Sequence, residues 1–391
     1  MTSRRAAMVI NRRMFGRLGL GAGLALRGVP ATASTLPAGF LGINTLWIPG
    51  DEAILLDRFR RARALGLSEV RIDWEWRLAE PVQGSYDWRA TDRLMRAANQ
   101  SGVTILPIVH YAPPWALPAI PKPSDVSELA PTDASFDAFG RFLAACVKRY
   151  GPGGDAPMPF TPIVAWQVWN EPNNKDFWGP APEPARFAKL MRSVSGALAP
   201  YRNRIKIVHA GLSKADVVFL WQLWDADPNY GDTFDIMAVH PYIYDWWSGV
   251  RRPDDIDGDK GPDAVLGFIG DKYKPNYLPK VFNLQLFMTL RGVKDRPIWI
   301  TEMGFFVSPV HLGVTDEQQA KLMADTLSYI QTRLTDKPFG EGKHALAADV
   351  QRVYWFALDD YTMPDGMGNF GLYRVDGTQR PSAQVMRKLL S

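Results

Sequence analysis

The stretch Ile163-Val164-Ala165-Trp166-Gln167-Val168-Trp169 is almost wholly apolar and rich in β-branched and aromatic residues, and it breaks abruptly into Asn170-Glu171-Pro172-Asn173. A run of this length, closed by polar residues and a proline, reads as a strand buried on both faces that ends in a polar loop. The same figure recurs outward in both directions. Strand-like runs are expected at 40–46, 68–74, 103–109, 163–169, 205–210, 234–240, 297–302 and 350–356. Amphipathic stretches near 52–65, 88–101, 134–150, 183–199, 215–225, 278–291, 316–334 and 381–390 alternate with them. Helix 316–334 is representative: Thr315 caps it, Glu317 sits near its positive end, and Leu322, Thr326 and Ile330 fall on one face. Eight such strand–helix pairs predict a parallel α/β fold, a (β/α)8 TIM barrel with enlarged loops on the catalytic face. With no repeat period and no Pro/Gly/Ser linker, residues 34–391 read as one catalytic domain.

In a barrel of this kind chemistry gathers at the carboxyl ends of the strands, where loops vary without disturbing the packed core. The polar residues at those ends are Arg71, Asp73 and Glu75 on the second strand, His110 on the third, Trp169, Asn170 and Glu171 on the fourth, His240 and Tyr242 on the sixth, Thr301 and Glu302 on the seventh, and the neighbourhood of Trp355 on the eighth. Two glutamates, Glu171 and Glu302, thus face one cavity. Cleavage of a glycosidic bond needs a proton delivered to the leaving oxygen and a stabilised cationic ring, which two carboxyl groups supply. Glu171, beside Asn170 and aromatic walls, is expected to be partly desolvated with a raised pKa, and Glu302 to be held ionised by Arg71 and Tyr242. The 14 tryptophans suit a site that stacks on sugar rings. Asp73 and Glu75 read as hydrogen-bond anchors of the second strand's loop, and His209 as a satisfied core histidine.

At these residues the sequence resembles glycoside hydrolase clan A, most closely families 39 and 5, from about Gly39 to Leu390. The resemblance rests on Val70-Arg71-Ile72-Asp73, on Glu80-Pro81 with Gly84, Tyr86, Asp87 and Trp88, on Tyr111-Ala112-Pro113-Pro114-Trp115, on Val168-Trp169-Asn170-Glu171-Pro172-Asn173, and on Trp299-Ile300-Thr301-Glu302. It implies a retaining double displacement on a polysaccharide or oligosaccharide, with Glu302 as nucleophile, Glu171 as acid/base and their carboxyl carbons about 5–5.5 Å apart. It further implies that Asn170 holds the sugar 2-hydroxyl, that Arg71 and Tyr242 orient Glu302, and that His110 and His240 line the subsite beside the scissile bond. Trp355 would be the ring platform, Trp169 a further substrate contact, and a non-proline cis peptide would follow the platform at Trp355-Phe356. The same residues also fit a transglycosylase, or a catalytically silent carbohydrate-binding barrel of an exopolysaccharide system.

The charge argues against other partners. The formal net charge is +4, but residues 1–33 carry six arginines and no acid, leaving 39 basic against 41 acidic groups beyond them. No phosphate-tracking stripe follows, and no nucleic-acid partner is expected. Asn11-Arg12-Arg13-Met14-Phe15, the short apolar run Leu18–Leu26 and Ala31-Thr32-Ala33 resemble a twin-arginine export signal, so the chain is expected to be exported, periplasmic or extracellular, with no permanent membrane span. A single cysteine, Cys146, excludes an intramolecular disulfide and Cys-based metal centres. Asp255, Asp257 and Asp259 resemble a calcium loop, but the twelfth position is Leu266, so a solvated loop is expected and no cofactor or metal is assigned. The long stretch Ile243–Asn276 carries Trp246, Trp247, Arg251 and Arg252, which favours further subsites and internal cleavage.

Overall fold

The computed structural model describes residues 36–45, 51–119, 129–245, 249–250, 278–308, 313–335, 347–361 and 368–391. The export segment expected at 1–33, the Asp255–Asp259 loop, the tryptophans and arginines at 246–252 and both His311 and His344 lie outside the described residues.

Nine parallel strands form one sheet. They are β1 (Leu41–Thr45), β2 (Glu69–Glu75), β3 (Thr104–His110), β4 (Ala165–Val168), β5 (Lys206–Val208), β6 (Leu212–Ser213), β7 (Met237–His240), β10 (Ile298–Met303) and β11 (Val350–Trp355), while β8 (Tyr244–Asp245) and β9 (Gly249–Val250) make a small antiparallel pair. The order β5-β4-β3-β2-β1-β11-β10-β7-β6 leaves β5 and β6 at opposite ends. Parallel bridges Val208↔Ile236 and Asn170↔Gly211 join those ends. β5 and β6 are therefore two halves of one strand position, and eight positions close the ring. A continuous strand over 205–210 was expected; pairing lapses at His209–Ala210 and resumes at Gly211, where a Cβ would lie 2.0 Å from His240 Nε2. Only a residue without a side chain lets the strand pass that ring.

Helices wrap the sheet: α1 (Glu52–Ala64), the single turn α2 (Trp76–Ala79), α3 (Arg89–Ser101), α4 (Phe136–Tyr150), α5 (Pro184–Leu198), α6 (Val217–Ala226), α7 (Val281–Leu290), α8 (Asp316–Tyr329) and α9 (Pro381–Leu390). Their starts follow from local chemistry. Asp51 accepts from Ala53 N–H, Asp216 from Val218 and Phe219, and Thr315 with Gln318 forms a reciprocal capping box. No helix among the described residues is long and apolar enough to cross a membrane.

Strand alternation sorts the side chains into two layers. On β2, Val70, Ile72 and Trp74 belong to the large outer core that includes Phe59, Leu94 and Phe142 of the helices. Arg71 and Asp73 point to the barrel axis, where Leu106, Ala165, Val208, Ile236, Ala238, Trp299 and Tyr354 form a separate apolar layer. The polar residues of the site sit one pleat further along the same strands, above that floor.

Candidate active site

Two local irregularities bring the glutamates inward. β10 pairs with β11 at Ile300↔Val353 and next at Met303↔Trp355, three steps against two. The extra residue is a bulge, and it turns Glu302 to the axis together with Thr301, where strict alternation would have sent one of them outward. At the end of β4 the backbone is left-handed at Trp169 (φ 65°) and Glu171 (φ 36°), so the consecutive side chains of Asn170 and Glu171 both reach the interior.

Glu302 is gripped from two sides. Arg71 Nη1 donates to Oε1 at 2.9 Å and Tyr242 Oη donates to Oε2 at 3.0 Å. The Arg71 guanidinium is spent on four partners, since it also donates to Asn44 Oδ1 (2.7 Å), Gln167 Oε1 (2.7 Å) and Asn170 Oδ1 (3.2 Å). With its oxygen turned to Arg71, Asn170 has its amide N–H groups to offer a ligand.

Glu171 is 7% exposed. Its Oε1 lies 2.7 Å from His240 Nδ1 and its Oε2 accepts from Asn174 Nδ2 at 2.9 Å. Burial pushes this carboxyl up, yet the hydrogen bonds of His240, Asn174 and Ser213, with the charge His240 carries when protonated, outweigh it and leave the pKa below the ordinary value. The raised pKa expected for Glu171 is thus corrected: apolar walls are present, but so are donors that favour the ionised form. Carboxylate oxygens of Glu171 and Glu302 and a ring nitrogen of His240 all lie within 4.8 Å of one another. That cluster has the donor types of a metal site, but its atoms already serve the hydrogen bonds above and Arg71 places a fixed cation against Glu302.

A cavity of about 150 Å³ opens over Glu302, lined by Asn44, Thr45, Arg71, Asp73, His110, Tyr111, Asn170, Phe177, Phe356 and Ala357. Arg71, Asn170, His110 and Glu302 meet there. His110 Nε2 is held by Asp73 Oδ1 at 2.8 Å, and its ring stacks on Tyr111 with centroids 3.6 Å apart. Three expected contacts fall elsewhere. Trp355 is fully buried and faces the helix layer with Val353, packing near Phe305. β11 keeps its alternation to the end, so the inward position after Tyr354 belongs to Phe356, which lines the cavity. The cis peptide is correspondingly Phe356–Ala357, not Trp355–Phe356: the Phe356 N–H still pairs with Met303 O at 2.8 Å, which carries the ladder one residue further. Trp169 is buried among His110, Phe139 and Trp178, with its indole N–H on Phe177 O at 2.8 Å. It supports the wall from behind. His240 is wholly buried beneath the two glutamates and joins them; it does not line the cavity.

Other residues of the site were not singled out from the sequence. Thr45 lines the cavity with a buried hydroxyl that has no hydrogen-bond partner among the described residues. Asn44 donates to Thr301 O, Tyr354 O and Trp355 O, tying β1, β10 and β11 together under the cavity. Asn44 and Thr45 close the first strand at the same barrel end as the others, which is the signal that would have found them. His209, as expected, is a core residue: it is paired with Ala210 O and Tyr230 Oη, both at 2.7 Å, and burial pushes its pKa down to about 4.

No protein-family model matches the chain, and no curated protein matches it in sequence. Solved structures do match in fold. A family 39 glycoside hydrolase from Bacteroides cellulosilyticus WH2 aligns with TM-score 0.64 at 22% identity, over 90% of this chain and 63% of that one. A monomeric beta-xylosidase from Caulobacter crescentus CB15 aligns with TM-score 0.61 at 18% identity, over 91% and 68%. A GH5_18 protein from Bifidobacterium longum subsp. infantis aligns with TM-score 0.58 at 16% identity, over 90% and 78%. The likeness is one of fold: this chain has an α/β barrel like those of these glycoside hydrolases. It spans under two thirds of the length of the first of these neighbours.

Proposed function

We propose that this chain is a retaining O-glycosyl hydrolase, with Glu302 as nucleophile and Glu171 as acid/base. One observation carries the reading: a carboxylate oxygen of Glu171 and one of Glu302, on different strand ends, lie within 4.8 Å of each other, the first residue bound by an imidazole, the second by a guanidinium and a phenol. Inverting sites leave about 6.5–9.5 Å between the carboxyl groups for a water, whereas retaining sites bring them close. Glu302 attacks the anomeric carbon while Glu171 gives a proton to the leaving oxygen, and Glu171 then takes a proton from the water that releases the sugar. Because Glu171 rests below its ordinary pKa, the sugar has to favour the acid form. It does so by displacing water, since burial is the influence that pushes this carboxyl up.

The cavity also favours a substrate class. Arg71 is committed to Glu302, Asn170, Gln167 and Asn44, and Asp73 adds a carboxylate to the wall, so the ring beside the scissile bond is an uncharged sugar. Phe356 and Tyr111 offer it aromatic faces, and Thr45 and Asn170 offer hydroxyl contacts. Internal cleavage is the favoured mode, resting on the Trp246-Trp247 and Arg251-Arg252 pairs of the Ile243–Asn276 stretch, and export is proposed from Arg12-Arg13 and the apolar run behind them. The first test is turnover of a panel of activated aryl glycosides by the purified protein, followed by chain-length analysis of products from neutral polysaccharides. Silence on every neutral glycoside would overturn the reading, and newly formed linkages as the main product would replace hydrolysis by transfer.

A further inference from the structure

We infer that the tautomer of His240 is dictated by Arg71, through Gln167 and Thr301, so that these two buried uncharged residues are positioning residues for Glu171. The argument is a count of donors and acceptors along one chain of contacts. Arg71 Nε has only a proton to give, so the Gln167 atom 2.7 Å away is its oxygen. His209 O can only accept, so the Gln167 atom facing it at 3.3 Å is its nitrogen. Both ends agree on the orientation of the amide. That nitrogen also donates to Thr301 Oγ1 at 3.1 Å. Thr301 then has one hydrogen of its own to place, and His240 Nε2 stands 3.0 Å from it. Nε2 is therefore the acceptor, Nδ1 carries the proton, and that N–H donates to Glu171 Oε1 at 2.7 Å. Gln167, Thr301 and His240 are all fully buried, so water does not offer them another arrangement.

The groups facing His240 make this choice consequential. Glu171 lies at the end of β4, Glu302 and Thr301 on β10, and Gly211 between β5 and β6; Arg71 and Tyr242 stand behind Glu302, and the backbone N–H of Lys214 donates to His240 O. Glu302 Oε1, 3.6 Å from Nε2, would draw a proton onto that nitrogen. The Thr301 hydroxyl occupies the lone pair and opposes it. Thr301 thereby keeps the two carboxylates from sharing one imidazolium, and leaves Glu171 with a neutral donor.

The kinetic side of this inference rests on Glu171 as acid/base; the tautomer itself does not, which separates the two failures. The direct readout is the imidazole nitrogen spectrum of the full-length, 15N-histidine-labelled protein, with the His240 signals among the five histidines assigned by their loss in His240→Gln. The expected wild-type pattern is protonated Nδ1 with bare Nε2 across neutral pH. Thr301→Val should let Nε2 gain a proton, and Thr301→Ser should restore the wild-type pattern. Gln167→Glu gives a second route should the valine variant fail to fold: its carboxylate takes the Thr301 hydrogen, leaving Oγ1 to accept from Nε2–H. A proton on Nε2 in the wild type, or an unchanged pattern in whichever of these variants folds, overturns the inference. In kinetics, an imidazolium beside Glu171 holds it ionised, so the alkaline limb of kcat/KM should move to lower pH in Thr301→Val and stay in place in Thr301→Ser. A correct His240 pattern in a protein that cleaves no glycoside would instead count against the proposed function alone.

Discussion

Glu171 and Glu302 stand within a few ångströms of each other, yet their surroundings have little in common. Glu302 opens onto the cavity and is held by Arg71, whose charge does not titrate, and by the Tyr242 phenol. Glu171 is turned into the protein and is held by the His240 imidazole and by the Asn174 amide. The difference teaches how one barrel mouth assigns two roles to one residue type. On the proposed roles, the carboxylate that must be ionised in order to attack is given a cationic partner, and the one that must gain and lose a proton is given a neutral donor.

The sharpest way to break that contrast is to remove Glu302. Glu302→Ala should lower turnover of aryl glycosides by about 10⁴-fold or more and abolish covalent labelling by a 2-fluoro glycoside, read by intact mass. A label still found in the variant would move the nucleophile elsewhere. Glu171→Ala should cost about 10²–10⁴ on a poor leaving group and much less on glycosylation with a good one, with azide restoring turnover; equal loss on all substrates would erase the distinction between the two carboxylates. A smaller effect checks the cavity wall beside Glu302. Phe356→Ala should raise KM by about tenfold, the loss of one stacking face, while Trp355→Phe should lower Tm with KM unchanged. The reverse result would return Trp355 to the site. The smallest effect is on stability in acid. Because the folded protein holds Glu171 below its unfolded pKa, the stabilisation is present above the unfolded value and is lost as pH falls through the folded one. Glu171→Gln should therefore show a shallower fall of Tm below about pH 4.5 than the wild type, by calorimetry; an identical slope would mean that His240 does not stabilise the anion.

Much of this site was legible before any coordinates. The strand and helix boundaries follow the expected ones closely, as β3 at Thr104–His110 and α9 at Pro381–Leu390 show, because both-face burial and capping chemistry are written locally. Glu171, Glu302, Arg71 and Tyr242 were singled out because polar residues at the ends of apolar strands have few other uses, and the structure brings their side chains together. Trp169 was misplaced because the left-handed backbone there interrupts the alternation of β4, and Trp355 by a step of register. Sequence pattern tells that an aromatic residue is buried; which layer it is buried in depends on a single step of register, and a one-residue change sends a side chain to the other face.

The sequence by itself determined the barrel, the end at which its polar residues gather and the choice of two glutamates with an arginine there, because those depend on period, order along the chain and residue type. Only the tertiary structure decided that a bulge in β10 turns Glu302 inward while regular alternation over the last residues of β11, from Val353 on, leaves Trp355 outside. Only it placed His240 under both carboxylates and linked it to Arg71 through Gln167 and Thr301. Those facts join strands far apart in sequence. Hydrogen-bond direction and side-chain facing are set by which neighbour the closed ring supplies, and no local stretch of chain carries that information.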